Sequence, residues 1–270
     1  MPLLNLCKTV SAIMLCSKRA FLLILMIVIP TSSLTGQQDF SQLTPAEIVD
    51  QVDQMMRGDS SRGTIQMTVK TQRWSRALTL EIWSEGTEKV LVKVKKPKKE
   101  EGVASLKIDS DMWNYLPKID RTIRVPTSMM MGFWMGSHFT NDDLVKRSRL
   151  TRDYDIEISY EGVKENVLVW EFVLTPRPDA PVVWGKIHYQ VRKEDLMPTW
   201  AAYYGEDGQR KRTMNFSDYQ EMGGRLVPAK IRMAPEDKPN EYTEITYINL
   251  EFDLAVDKSI FSLASLRRKR

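Results

Sequence analysis

The chain of 270 residues has only two cysteines, Cys7 and Cys16, and only two histidines, His138 and His188. Both cysteines precede the apolar run Phe21 to Ile29, so neither stands where a lipid-attachment cysteine would, directly after it. A domain that begins beyond that run has no thiol at all, which excludes disulfides, thiol catalysis and cysteine metal sites. It needs no covalent staple, because about 230 residues can bury a self-sufficient core. Two histidines far apart in sequence, with no ligand-like spacing, make no zinc site. A Gly-rich phosphate loop is also lacking. So is a surplus of charge. The 39 basic and 35 acidic residues become 36 against 35 once Lys8, Lys18 and Arg19 are set aside with the leader, which argues against a nucleic-acid partner. The basic stretch Lys93 to Lys99 and the tail Arg267 to Arg270 read as solvated surface.

The apolar run falls well short of the roughly 20 residues a spanning helix needs. Basic residues precede it, and Pro30 and the small polar residues Thr31 to Gly36 follow. That order is the pattern of an export signal, expected to be cleaved after Gly36. Residues 1–36 are thus expected to be a signal peptide and residues 37–270 a single domain.

Thr44, Pro45 and Glu47 predict a helix start, with Thr44 as N-cap. Ile48, Val52, Met55 and Met56 then recur at helical spacing until Gly58. From Thr64 the period becomes two. Ile65, Met67 and Val69, then Leu78, Leu80 and Ile82, then Val90, Val92 and Val94 alternate with mostly polar residues, predicting an antiparallel meander with one wet face. Alternation resumes from Asp153 to Asn249 in seven further stretches with turn residues between them. About ten to twelve strands, with no composition break, predict one large antiparallel sheet or open barrel.

Between these halves, Ser128 to Phe139 has neither period. It is rich in Met129, Met130, Met131, Phe133, Trp134 and Met135, and soft side chains of this kind suit a surface that repacks around apolar ligands. The same composition also suits a plug in the barrel's open end. Catalysis finds little support here. His138 is flanked by Ser137 and followed by Asp142 and Asp143, too close along the chain to converge easily into a triad, and the two acids suit a helix start. His188 falls on the outward phase of a strand.

Met112, Trp113, Tyr115, Leu116 and Pro117, followed by Arg121 and Arg124, then Met135-Gly136-Ser137, Phe139 and Asp142-Asp143-Leu144, resemble the periplasmic outer-membrane lipoprotein-sorting proteins, relatives of the LolA and LolB carriers. The resemblance extends more loosely over residues 37–270. It implies a mainly β (α+β) fold: a curved, unclosed antiparallel barrel whose concave face is covered by helices and loops around an apolar cavity. It also implies no enzymatic activity, no cofactor, a periplasmic location, and company with an inner-membrane exporter of the resistance-nodulation-division or ATP-driven type. Burying an acyl chain of about sixteen carbons at roughly 0.8 kcal/mol per CH₂ gives on the order of 12 kcal/mol, which a shallow groove would not capture.

The expected acyl cavity is lined by Ile65, Met67, Val69, Leu78, Leu80, Ile82, Val90, Val92 and Val94, with Trp113, Tyr115, Met131, Phe133, Trp134 and Met135. Arg121 and Arg124 are expected to meet a lipid head group or partner protein. The expected activity is that of a monomeric carrier of lipid or lipoprotein acyl chains between membranes. The alternative is a non-enzymatic adaptor that docks on an exporter without carrying lipid.

Overall fold

The computed structural model describes residue 40, residues 42–146 and residues 150–267. The expected leader lies outside the described residues. Helix α1 (Pro45–Arg57) begins as its sequence dictates. The Thr44 hydroxyl accepts the Glu47 N–H, the Glu47 carboxylate accepts the Thr44 N–H, and Gly58 ends the helix at φ 66°. Its Ile48, Val49 and Val52 are buried.

The strands then run in two meanders. The first is β1 (Ser60–Lys70), β2 (Ser75–Glu85), β3 (Lys89–Lys96), β4 (Ala104–Ile108), β5 (Asp111–Leu116) and β6 (Arg121–Arg124). After helices α2 (Asn141–Lys146) and α3 (Leu150–Asp153) come β7 (Tyr154–Lys164), β8 (Val167–Pro176), β9 (Lys186–Arg192), β10 (Pro198–Tyr204), β11 (Arg210–Met222), β12 (Arg225–Pro235) and β13 (Tyr242–Phe252). Helix α4 (Leu263–Arg267) follows. Pairing of β1 with β13 joins the meanders into one antiparallel sheet of 13 strands, with β6 and β7 as its edges and no pairing between them among the described residues. The barrel is therefore unclosed, as expected, with 13 strands rather than ten to twelve.

The inner face is a continuous apolar surface because each ladder sets like phase against like. Val94 pairs with Leu80, Leu80 with Ile65, Met67 with Ile245, and Ile245 with Ile231. Trp134 and Phe139, from the segment between β6 and α2, complete this core. Helix α1 builds a second core against Tyr154, Trp170, Phe172, Leu174 and Ile187.

The outer face is not uniformly wet. On β3 to β5, Leu91, Leu106 and Tyr115 are buried beneath Phe261 and Leu266 of the C-terminal segment. Both faces of these strands are covered, so the expectation of one wet face fails there.

Candidate functional site

Helix α1, the inner face of the sheet and the segment leading through α2 and α3 enclose a cavity of about 300 Å³. That volume lies at the low end of small-molecule sites, which span about 300–1,000 Å³. The helix contributes Val49, Val52 and Met56, and the first meander contributes Ile65, Ile82, Val90 and Val92. Trp134, Phe139 and Leu144 close it from the covering segment; Tyr203, Phe216 and Tyr247 extend the wall on the other half of the sheet, with Trp184 from the β8–β9 connection.

Four sets of contacts hold the covering segment down. Trp134 Nε1 donates to Ser105 Oγ at 3.0 Å, and Arg76 donates to the Met135 carbonyl. Met135 at φ 48° and Gly136 at φ 67° form a left-handed turn, fixed by the Ser137 hydroxyl donating to the Trp134 carbonyl. The His138 N–H donates to Thr243 Oγ1 at 2.9 Å, with Nδ1 2.9 Å from the same oxygen and Nε2 3.2 Å from Glu241 Oε2. Asp143 makes two hydrogen bonds with Arg212 of β11, at 2.7 and 2.5 Å.

Thr243, His138 and Glu241 have the order of a hydroxyl, a base and an acid, but Thr243 is wholly buried and its oxygen already accepts the His138 N–H. The trio is a clasp between the segment and the start of β13. Glu241 is held below the ordinary carboxylate value, first by the Gln72 N–H and then by His138. Burial is the largest influence on Arg212 and opposes its charge, yet the bonds and attraction to Asp143, with Tyr203 and Asp142 nearby, leave its pKa raised. Its guanidinium lies 4.3 Å from the Trp184 ring centroid and 4.4 Å from that of Tyr203. Among the described residues no group of three or more His, Cys, Asp or Glu could hold a metal ion.

Of the side chains expected to line the cavity, Ile65, Ile82, Val90, Val92 and Trp134 do. Met67, Val69, Leu78, Leu80 and Val94 share that face but are packed into the core, with Met135 half-buried against them. Trp113 and Tyr115 correct the expectation. Trp113 pairs with Leu106 and Tyr115 with Ala104, which puts both on the outer face, while their neighbour Met112 faces inward into the core. Met131 and Phe133 are exposed, at 45% and 60%, outside the cavity. Arg121 and Arg124 do not form one site. Three positions apart on an edge strand, they point to opposite faces, and Arg124 pairs with Asp111 at 2.5 Å.

The sequence reading missed the part of the wall formed by α1 and by Trp184 and Tyr203. Amphipathic spacing marks α1 as half-buried but does not say what it covers. The Asp143–Arg212 pair joins residues far apart in sequence, and nothing local announces it.

A family model described as an uncharacterized protein matches residues 86–268, more than half of the chain. No curated protein gives a significant match. Among solved structures, a DUF1329 family protein from Desulfovibrio piger superposes with a TM-score of 0.75 at 20% identity, covering 82% of this chain and 97% of its own. An outer membrane lipoprotein-sorting protein domain from Vibrio parahaemolyticus gives 0.73 at 20%, covering 83% and 98%. A LolA superfamily protein from Nitrosomonas europaea gives 0.70 at 20%, covering 83% and 99%. At this identity the likeness is one of fold.

Proposed function

We propose that this chain, which belongs to the uncharacterized protein family whose model spans residues 86–268 and has the fold of the LolA superfamily, is a non-enzymatic carrier. It holds acyl chains of a lipid or lipoprotein in its cavity and moves them between membranes. The observation that carries this reading is the cavity itself: an apolar space between the inner face of an unclosed sheet and a segment anchored by Trp134, Phe139 and a few polar contacts. Acyl burial supplies the driving force, at roughly 0.8 kcal/mol per CH₂. A carrier must also release its load, and contacts such as His138 with Thr243 and Asp143 with Arg212 can break without unmaking the sheet.

In this reading residues 1–36 direct export to the periplasm and are removed, residues 37–270 form the carrier domain as a monomer, and an inner-membrane exporter is the partner. Ile65, Ile82, Val90, Val92 and Trp134 are the acyl contacts.

The test is organic extraction and mass spectrometry of protein purified from its native envelope without detergent, beside Ile82→Glu and Phe133→Glu. Ile82 lines the cavity and Phe133 lies outside it. Stoichiometric lipid in the parent and in Phe133→Glu, lost from a still-folded Ile82→Glu, is the expected result. Lipid absent from all three, with acyl probes leaving tryptophan fluorescence unmoved, overturns the carrier and favours the docking adaptor.

A further inference from the structure

One register row of the inner face carries polar groups into the cavity. Ser61 of β1 pairs with Ser84 of β2, Ser84 with Val90 of β3, and Val90 with Lys107 of β4. Four neighbouring strands thus place these residues side by side, and all four line the cavity. The Ser61 and Ser84 hydroxyl oxygens are 2.7 Å apart, and the Lys107 ammonium donates to the Thr87 carbonyl of the β2–β3 turn. Lys107 retains only 5% exposure, an uncommon position for a lysine. The next row inward, Gly63, Ile82 and Val92, is apolar on β1 to β3 and ends at Ser105 of β4, whose hydroxyl is taken by Trp134, and the one after it, Ile65, Leu80 and Val94, is apolar throughout. The inner face at this edge therefore has a polar margin and an apolar interior that reaches Trp134.

The other charges on the wall are distributed unevenly. Asp53 of α1 is paired with Arg57 at 3.1 Å. The remaining carboxylates, Asp142, Asp143 and Asp153, belong to α2 and α3; Asp143 is held by Arg212 of β11 on the far half of the sheet, and Asp153 lies 3.6 Å from its neighbour Arg152. The cationic side of the cavity is therefore at β4, and the carboxylates lie at α2 and α3, so a negatively charged group entering it is drawn toward β4.

We infer that Lys107, with Ser61 and Ser84, binds the anionic head of a single-headed amphiphile, a carboxylate or a phosphate, whose tail runs along β1 to β3 toward Trp134. The inference rests on the carrier reading and narrows its cargo to lipids that bear an anion, because a neutral glyceride or an amide-linked acyl chain offers an ammonium only uncharged acceptors, whose hydrogen bonds are roughly half as strong as those of a carboxylate or phosphate. Ser61 and Ser84 share one hydrogen between their oxygens, which leaves a second hydroxyl hydrogen in the same row as the cation to donate to the anion.

The experiment titrates delipidated protein with palmitate, dipalmitoyl phosphatidic acid and hexadecanol, following tryptophan fluorescence, in the parent, Lys107→Met and Lys107→Arg. Circular dichroism establishes that each variant is folded. The parent is expected to bind at least one anionic probe about ten- to a hundredfold more tightly than hexadecanol. Lys107→Met brings that probe down to the hexadecanol level while hexadecanol binding is unchanged, and Lys107→Arg restores most of the difference. Preference for phosphatidic acid identifies a phospholipid head, and preference for palmitate a free fatty acid. Equal binding of all three probes by the parent, or an undiminished preference in Lys107→Met, overturns the head-group site and leaves the carrier reading intact. No binding of any probe overturns both.

Discussion

Asp143 and Arg212 meet through two hydrogen bonds at 2.7 and 2.5 Å, joining the covering segment to the far half of the sheet. Asp143 also accepts from the Thr140 N–H and hydroxyl, so one carboxylate both caps α2 and fastens it. The Arg212 side chain is 7% exposed, and it lies against Trp184 and Tyr203. Asp143→Asn leaves a buried guanidinium without its counter-charge, so a loss of about 3 kcal/mol is expected in urea unfolding. Arg212→Lys does not replace the two-point contact or the stacking and is expected to lose a similar amount. Unchanged unfolding midpoints in both would show that the pair does not fasten the segment.

Acid should loosen the segment through Glu241. The Gln72 N–H and His138 hold its folded-state pKa below the ordinary value of 4.5. A carboxylate depressed on folding adds stability that is fully present above its unfolded pKa and is lost as pH falls through the folded one. Amide exchange at the His138 N–H is therefore expected to accelerate below about pH 4.5 relative to the sheet core. In Glu241→Gln this acid-dependent step should vanish, and its persistence would assign it to another group.

The methionines separate by burial rather than by position in the Met-rich stretch. Met67 is wholly buried in the inner core, whereas Met131 is exposed. Met67→Ala should cost about 2–5 kcal/mol and Met131→Ala about 0.5 kcal/mol or less. Equal costs, measured by chemical denaturation, would contradict the placement of Met131 outside the core.

Tyr115 packs on the outer face near Phe261 and donates to Asp120 Oδ1 at 3.0 Å. Tyr115→Ala is expected to lose about 3 kcal/mol of stability while leaving acyl binding to the folded protein unchanged. Weakened binding would return this residue to the cavity wall.

How far the sequence reached depends on what each residue reports locally. Thr44, Pro45, Glu47 and Gly58 set both ends of α1, because capping is a matter of near neighbours. Val90, Val92 and Val94 were legible as the inner phase of β3, because Lys93 and Lys95 mark the other phase. Strand β4 was not, since Ala104 to Lys107 are all buried and alternation by polarity disappears when both faces are covered. The same cause misplaced Trp113 and Tyr115. Polarity alone points them to the interior, whereas the C-terminal segment covers them from outside, and only the register with Leu106 and Ala104 reveals it. Strand β6, four residues long and mostly exposed, offers too short a pattern to detect. Nothing in the sequence singles out Lys107, because charge alone does not tell a solvated side chain from one turned into a cavity.

The two edges of the sheet, β6 and β7, are linked along the chain by the segment that closes the cavity. That segment behaves like the string of a bow. Flattening the sheet draws its ends apart and tightens it over the cavity, whereas bringing the edges together slackens it. Opening by lifting the segment and opening by spreading the sheet are therefore opposed movements. The curvature of the sheet therefore bears on ligand exchange even when every contact of the segment is intact.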